Sequence, residues 1–195
     1  MSLMLPQTCE RALLERFLKA EAMAMWAVRA AQMREVPPHV LRFLRRHEQD
    51  EQRHLRIFER LVGTEHWETA ALPRMPSQWG ALAVHLYGYE ALGLEFAKLL
   101  ATVRPDLSSL IKDEEVHVGF FERQIREILI SGNSQAACAR TCARAWWRRL
   151  PRTVDRYLGD ASLAPYRDEL RATILASIEK RFGGVGLFDV DGPAL

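Results

Sequence analysis

The chain has 195 residues, of which 48% are hydrophobic and 27% are charged, and its formal net charge is +2. This composition is typical of a globular domain large enough to bury a core, and the net charge is too small to indicate a partner. Three cysteines do not make a disulfide framework. We find no apolar run long enough to cross a bilayer and no export signal. We therefore expect one cytoplasmic domain.

Apolar residues at helical spacing predict the first helix from about Cys9 to Met33. Glu21 lies in the middle of this apolar stripe, where a carboxylate is costly to bury unless it is paired or bound to a metal. The chain then breaks at Val36–Pro38, because residues before proline avoid the helical region. A second helix is predicted from Pro38 to Val62, and the short turn makes the two helices antiparallel neighbours.

The second helix contains the pattern Asp-Glu-x-x-His at Asp50–His54, and the chain repeats this pattern at Asp113–His117. Residues three positions apart share one face of a helix, so each copy directs a carboxylate and an imidazole the same way. Glu21 lies about as far before the proline turn as Glu51 and His54 lie after it. We therefore expect these three side chains at one level.

The third helix is predicted from Trp79 to Val103. The connector at Gly63–Gln78 is long enough to run back along a helix, so the third helix can lie parallel to the second. Glu90 interrupts the apolar stripe of this helix just as Glu21 interrupts the first. Glu95 is the alternative: its distance from the following turn fits slightly better, whereas the cleaner apolar stripe favours Glu90.

Arg104–Pro105 ends the third helix, and Asp106 is a suitable N-cap for a fourth helix that ends at Gly132–Asn133. The inward side of the fourth helix includes Glu114 and His117. The first four helices thus contain a weak internal duplication, in which a glutamate, a turn and Asp-Glu-x-x-His occur twice.

Two further helices are predicted from Ser134 to Tyr157, with Pro151 as a kink or break, and from Ala164 to Arg181, within the segment 134–182. We expect an irregular tail at 183–195. Helix 5 is rich in arginine and tryptophan, which is compatible with contact to RNA phosphates or a membrane surface. We favour a solvated arginine face whose tryptophans pack on the bundle. The residues concerned are Arg140, Arg144, Trp146, Trp147, Arg148, Arg149, Arg152 and Arg156.

Two of the three cysteines, Cys138 and Cys142, lie one helical turn apart on the fifth helix. This spacing is compatible with a redox pair. Two small core residues are the interpretation that we favour.

These patterns give six candidate metal ligands, two of them imidazoles and four of them carboxylates. They are Glu21, Glu51, His54, Glu90, Glu114 and His117. Ferritin-like carboxylate bundles take one Glu from each of two helices and one Glu-x-x-His from each of the other two, which is the order found here. The alternative is that all six are solvated groups or paired buried charges, but four carboxylates without a cation would repel one another or take up protons.

Oxygen and imidazole ligands suit iron or manganese, and we expect two iron ions. The segment His47–Glu51 begins like a zinc-protease helix, but it lacks the second histidine of His-Glu-x-x-His. Asp50 and Asp113 are predicted to orient the imidazoles of His117 and His54 across the bundle, since a ligating imidazole usually donates its other N–H to a carboxylate. The alternative is that both are ordinary surface aspartates.

On these motifs, residues 9–131 resemble the ferritin-like di-iron carboxylate superfamily, nearest to the demethoxyubiquinone hydroxylases and the tRNA-modifying hydroxylases. The resemblance implies an all-α fold, a ferritin-like four-helix bundle with two additional C-terminal helices. It also implies oxygen activation at a di-iron centre followed by hydroxylation. Rubrerythrins are also similar, although the chain lacks the Cys-x-x-Cys pairs of their rubredoxin domain.

We therefore expect an oxygen-activating oxidase or hydroxylase that acts on a small organic substrate or modified RNA and uses an external electron donor. The catalytic residues are not assigned, and the partners considered include a second copy of the chain in a homodimer. A pocket is expected where Gly93 and Ala97 leave room beside Glu90, with Phe17 and Tyr87 as aromatic walls. The alternatives are an iron-handling ferroxidase, a rubrerythrin-like peroxide reductase, and a binding bundle that keeps metal only for stability.

Overall fold

The computed structural model describes residues 5–63 and 74–188, and in these ranges the chain forms six α-helices and no β-strand. The helices are α1 (Glu10–Gln32), α2 (Pro38–Val62), α3 (Trp79–Val103), α4 (Ser109–Ile130), α5 (Ser134–Tyr157) and α6 (Arg167–Gly184). Short 3-10 turns precede three of them, at Gln7–Cys9, Pro105–Leu107 and Ala161–Tyr166. None of the helices in the described ranges has the length and apolar character that a membrane span requires.

Side-chain contacts show that α1 and α2 run antiparallel. Near the proline turn, Arg29 Nε of α1 donates to Glu48 Oε1 of α2 at 2.6 Å. At the opposite end, Arg11 Nη1 donates to the backbone oxygen of Val62 at 3.3 Å. The two-proline turn therefore produces the hairpin that the sequence predicts.

Helix α4 runs antiparallel to both α2 and α3. Its contacts with α2 run from His39–Gln124 at one end to His54–Asp113 further along. Against α3, Tyr87 donates to Glu122 Oε1 at 3.2 Å, and the backbone of Gly93 approaches Glu114. It follows that α3 is parallel to α2, as expected from the long connector, of which residues 64–73 lie outside the described ranges.

Helix α5 lies along α3 because two glycines of α3 permit a close approach. The backbone N–H of Gly80 donates to Gln135 Oε1 at 2.7 Å, and a Cβ on Gly88 would lie only 2.3 Å from the Trp146 ring. Phe182 of α6 stacks on Trp146 with ring centroids 5.2 Å apart. The two C-terminal helices thus cover one side of the α1–α4 bundle.

The structure corrects the predicted start of α4. Asp106 is not its N-cap, because both carboxylate oxygens accept hydrogen bonds from Arg104, at 2.8 and 2.6 Å. A 3-10 turn at Pro105–Leu107 comes first, and α4 begins at Ser109.

The C-terminal third also differs in detail from the prediction. Pro151 does not break α5, which continues to Tyr157, because Leu150 and Val154 are buried on either side of the proline. Helix α6 begins at Arg167, and residues 161–166 form a 3-10 turn instead. It extends through Gly184. Beyond it, Leu187 and Phe188 are buried against the core. Residues 189–195 of the expected irregular tail lie outside the described ranges.

Candidate metal centre

A first cluster of buried donors joins α2, α3 and α4. It consists of His47, Glu51, Glu90 and His117, whose donor atoms all lie within 4.8 Å of one another. His47 Nε2 is 2.8 Å from Glu51 Oε1 and 3.3 Å from Glu90 Oε2. His117 Nδ1 is 3.4 and 3.5 Å from the same two oxygens. Two imidazoles and two carboxylates therefore converge on one small volume.

A second cluster lies beside the first and joins α1, α2 and α4. It consists of Glu21, His54 and Glu114. His54 Nδ1 is 3.7 Å from Glu21 Oε2 and 3.8 Å from Glu114 Oε1. Glu21 and Glu51 are close enough that each carboxyl group shifts the pKa of the other, so the two clusters are adjacent. The six ligands proposed from the sequence are thus brought together.

Each histidine of the two Asp-Glu-x-x-His motifs has one nitrogen on an aspartate from the opposite helix. His54 Nε2 is 3.1 Å from Asp113 Oδ2, and His117 Nε2 is 3.4 Å from Asp50 Oδ2. Arg53 lies between these aspartates, with Nη2 at 2.9 Å from Asp50 and 3.1 Å from Asp113. The crosswise arrangement is the one expected from the sequence.

The other nitrogen of each histidine, Nδ1, faces the carboxylates of its cluster. Within the described ranges, Nδ1 of His54 and Nδ1 of His117 are buried and have no hydrogen-bond partner. A buried polar atom is destabilising unless it is satisfied. Both atoms are in the position of a metal-binding nitrogen whose ring is oriented from its far side by a carboxylate.

The charges in the metal-free clusters are unevenly distributed. Burial, followed by the charge of Glu51, raises the pKa of Glu21 and the pKa of Glu114 well above the usual range of a carboxyl group. Burial also opposes the ionisation of Glu90 and Glu51. However, His47 and His117 together lower the pKa of Glu90, and His47 with a contribution from Glu21 lowers the pKa of Glu51. Burial alone would lower the pKa of His47, yet Glu90 and Glu51 raise it well above its usual value. In the absence of metal, protons bound by Glu21, Glu114 and His47 therefore reduce the negative charge of the clusters.

The structure distinguishes Glu90 from Glu95 on α3. Glu90 contributes to the first cluster. Glu95 is also buried, but its Oε1 accepts a hydrogen bond from Lys98 at 2.7 Å and lies 4.0 Å from Arg181 Nε. Its charge is therefore compensated by cations on the far side of α3.

His47 is the member of the clusters that the sequence analysis did not propose as a ligand. The sequence pattern around it is that of an incomplete zinc-protease motif, of which it is the first residue. The sequence does indicate that His47 can join the cluster. It precedes Glu51 by four positions, so the two side chains lie on the same face of α2, one turn apart. With His47, seven side chains donate to the two clusters.

A cavity of about 70 Å³ adjoins the carboxylates. We call it the apolar pocket. Its walls come from α1, α3 and the end of α5: Arg16, Phe17, Ala20, Met23, Ala24, Tyr89, Leu92, Gly93, Phe96 and Tyr157. Its floor is formed by Glu21, Glu51, Glu90 and Glu114.

The apolar pocket lies beside Glu90, but its walls differ in part from the prediction. Phe17 and Gly93 line it as expected. Tyr87 does not, because it faces away from the pocket, stacks on Phe182 and bonds to Glu122. Ala97 also lies outside the lining, since it follows Phe96 and points to another side of α3.

The arginine-rich helix α5 presents most of its arginines to solvent. Arg148 and Arg149 are exposed, as are Arg152 and Arg156, whereas Trp146 is buried against Gly88. This arrangement matches a solvated face whose tryptophans pack on the bundle. Cys138 and Cys142 are free and half-buried, and Cys142 packs against the core as a small residue.

The residues of the two clusters fit a pair of metal ions. Their donors are carboxylate oxygens and imidazole nitrogens, a set that suits iron or manganese, and no thiolate belongs to either cluster among the described residues. The unpartnered Nδ1 atoms of His54 and His117 require a partner at the cluster centres, and a cation supplies one. No protein-family model, curated protein or solved structure matches the chain, so the interpretation of this site depends on its geometry.

Proposed function

We propose that the chain is a ferritin-like di-iron oxidoreductase that activates oxygen and oxidises or hydroxylates a small organic molecule. The observation that carries this proposal is the apolar pocket whose floor is formed by the four clustered carboxylates. A metal pair kept only for stability does not need such a pocket, whereas an oxygenase needs a place beside the metal that excludes water.

In this proposal, the first cluster would hold one metal ion and the second cluster would hold the other; Glu51 belongs to the first cluster and lies next to Glu21 of the second. Iron, when bound, supplies the capacity to activate dioxygen and to transfer oxidising equivalents. Manganese suits the same donors, so the metal is to be identified by experiment.

The protein's own residues then have three roles. Asp113 and Asp50 fix the ring orientation of His54 and His117 from the far side, so that each Nδ1 faces its cluster. Phe17, Leu92 and Phe96 surround the open side of the carboxylates with apolar surface and limit the entry of water. The substrate would lie between these walls, with its reacting atom next to the carboxylates.

The test is to load the purified protein with Fe(II) without oxygen, add oxygen, and follow absorbance and oxygen uptake. We expect oxidation of the bound iron without mineral formation, and oxygen uptake that increases when a substrate from a panel of quinones, organic acids and modified tRNA is added. Glu114→Ala should lack the reaction. Glu115→Ala, which changes an exposed residue next to it, should retain it.

Other results would indicate other functions. Repeated oxidation of added Fe(II) with accumulating ferric mineral would favour the iron-handling alternative. Rapid oxidation by hydrogen peroxide but not by oxygen would favour a rubrerythrin-like peroxide reductase. Bound metal that reacts with neither oxidant would leave only a structural role.

A further inference from the structure

The apolar pocket contains one cationic side chain. Arg16 lies on its wall, and the other wall residues are apolar, aromatic or small. Arg16 is half-buried, whereas Glu21, five residues later on the same helix, is only 3% exposed. The pocket therefore has a guanidinium towards its outer end and carboxylates at its inner end.

Arg16 has no ion pair or hydrogen bond to another residue in the described part of the chain. Asp160 is the nearby carboxylate. Its pKa is lowered by hydrogen bonds from Ser162 and, to a smaller extent, by the charge of Arg16. However, Asp160 Oδ1 already accepts hydrogen bonds from Ser162, at 2.9 Å from its backbone N–H and at 2.7 Å from its hydroxyl. The donors of Arg16 are left available to a molecule in the pocket.

The charge balance favours an anion at this position. If the proposed function is correct, two divalent ions balance the four carboxylates of the floor, and Arg16 is then the one cationic side chain among the described residues that line the pocket. An arginine fork binds a carboxylate through two parallel hydrogen bonds. A single guanidinium matches one negative charge, whereas a phosphate dianion would keep an unbalanced charge among apolar walls.

We propose that the apolar pocket binds a small monocarboxylic acid with an apolar body, which pairs its carboxylate with Arg16 and directs its other end to the metal clusters. This inference rests on the proposed function and adds the class of substrate to it. Arg16 and Glu21 are separated by roughly 7.5 Å along the axis of α1, at 1.5 Å per residue, which a short alkyl chain can span.

The size of the cavity restricts the apolar body. An apolar cavity of about 150 Å³ is sufficient to hold benzene, and this cavity of about 70 Å³ is smaller. It therefore accepts the edge of one ring or a short alkyl chain while the carboxylate stays near the half-buried Arg16.

The experiment measures binding, without turnover, to the protein loaded with zinc, which is redox-inert. Calorimetric titration compares pentanoate, whose short alkyl chain suits the cavity, with its uncharged analogue pentanamide. We expect the acid to bind about 10- to 100-fold more tightly than the amide, as for a hydrogen bond to a charged group. Arg16→Gln should remove this difference by weakening the acid alone. Ala24→Leu, which fills the pocket, should weaken both compounds.

Arg11→Gln is the matched control, because Arg11 is an exposed arginine of the same helix, paired with Glu15. It should bind both compounds as the wild type does. Equal affinity of the wild type for acid and amide, failure of the acid to bind, or unchanged acid binding in Arg16→Gln would overturn the inference. Failure of the proposed function is distinguishable: the acid would bind through Arg16, but iron-loaded protein would not consume oxygen in its presence.

Discussion

Nε2 of His47 lies 2.8 Å from Oε1 of Glu51, one turn further along α2, and the same nitrogen is 3.3 Å from Glu90. This histidine is thus placed between two carboxylates that we propose as metal ligands. Because His47 is only 1% exposed, its imidazole either coordinates a metal ion or remains a protonated counter-ion that competes with the metal.

The first prediction concerns His47 as a seventh ligand. In His47→Ala, we expect one of the two metal ions to bind at least about tenfold more weakly and the other to bind normally, because the second cluster does not contain this residue. Stepwise titration of the metal-free protein with Fe(II) or Zn(II) checks this. The control is His39→Ala on the same helix, since His39 is exposed and outside both clusters. Tighter binding in His47→Ala would identify His47 as a competing cation instead.

The second prediction concerns the carboxylates of the repeated motifs. Glu51→Ala and Glu114→Ala should each abolish stoichiometric binding of two ions, because Glu51 belongs to the first cluster and Glu114 to the second. Metal analysis after gel filtration measures the content. Glu115→Ala should keep two ions per chain. Full metal content in both cluster variants would refute the assignment.

The third prediction concerns the orienting aspartates. Asp113→Asn should weaken metal binding by about 10–100-fold, because an amide is a poorer acceptor for the N–H of His54 than a carboxylate. Competition with a chelator of known affinity gives the constant. Asp155→Asn changes an exposed aspartate that pairs with Arg171, and it should leave the affinity unchanged. The same affinity in both variants would show that Asp113 is an ordinary surface residue.

The fourth prediction concerns pH. Glu21, Glu114 and His47 have pKa values raised in the metal-free fold, so the native state holds protons that the unfolded chain has lost. Their effect has one sign: the metal-free protein should become less stable as pH rises above 4.5, the usual pKa of a glutamate, and further so above 6.5, the usual pKa of a histidine. Metal should displace these protons and reverse the trend. Thermal unfolding with and without metal at several pH values checks this, and parallel curves would contradict it.

The fifth prediction separates stability from metal binding. A Cβ at Gly88 would lie 2.3 Å from the Trp146 ring, so Gly88→Ala must push α5 away from α3. We expect a loss of about 1–3 kcal/mol in the free energy of unfolding, with metal stoichiometry unchanged. Chemical denaturation of the metal-loaded protein measures the loss. Gly183→Ala is the control, because a Cβ there meets nothing within 4 Å.

Much of the helical pattern follows from the sequence, because proline turns and apolar spacing are local signals. The predicted bounds of α2, α3 and α5 match the structure. The predicted N-cap of α4 at Asp106 is wrong, because the carboxylate of Asp106 accepts hydrogen bonds from Arg104 instead. A cap depends on which partner the carboxylate finds, and the arginine two residues earlier binds it first.

The site was harder to predict where it depends on how helices pack. Glu90 and Glu95 are both buried, and only the position of Lys98 and Arg181 shows which one faces the clusters. Tyr157 reaches the pocket from α5, whose placement along α3 is not encoded in any local pattern of the chain. The position of His47, in contrast, follows from helical spacing, because it lies one turn before Glu51 on α2.

The wall provided by Tyr157 has a consequence for how this protein can change. Each of the seven donors lies before Gly132, while Tyr157 belongs to the segment that follows it. A substitution at Tyr157 therefore alters the shape of the pocket without touching a donor atom. Under the proposed function, substrate preference can diversify, through natural variation or engineering, while the part of the chain that carries the seven donors stays constant.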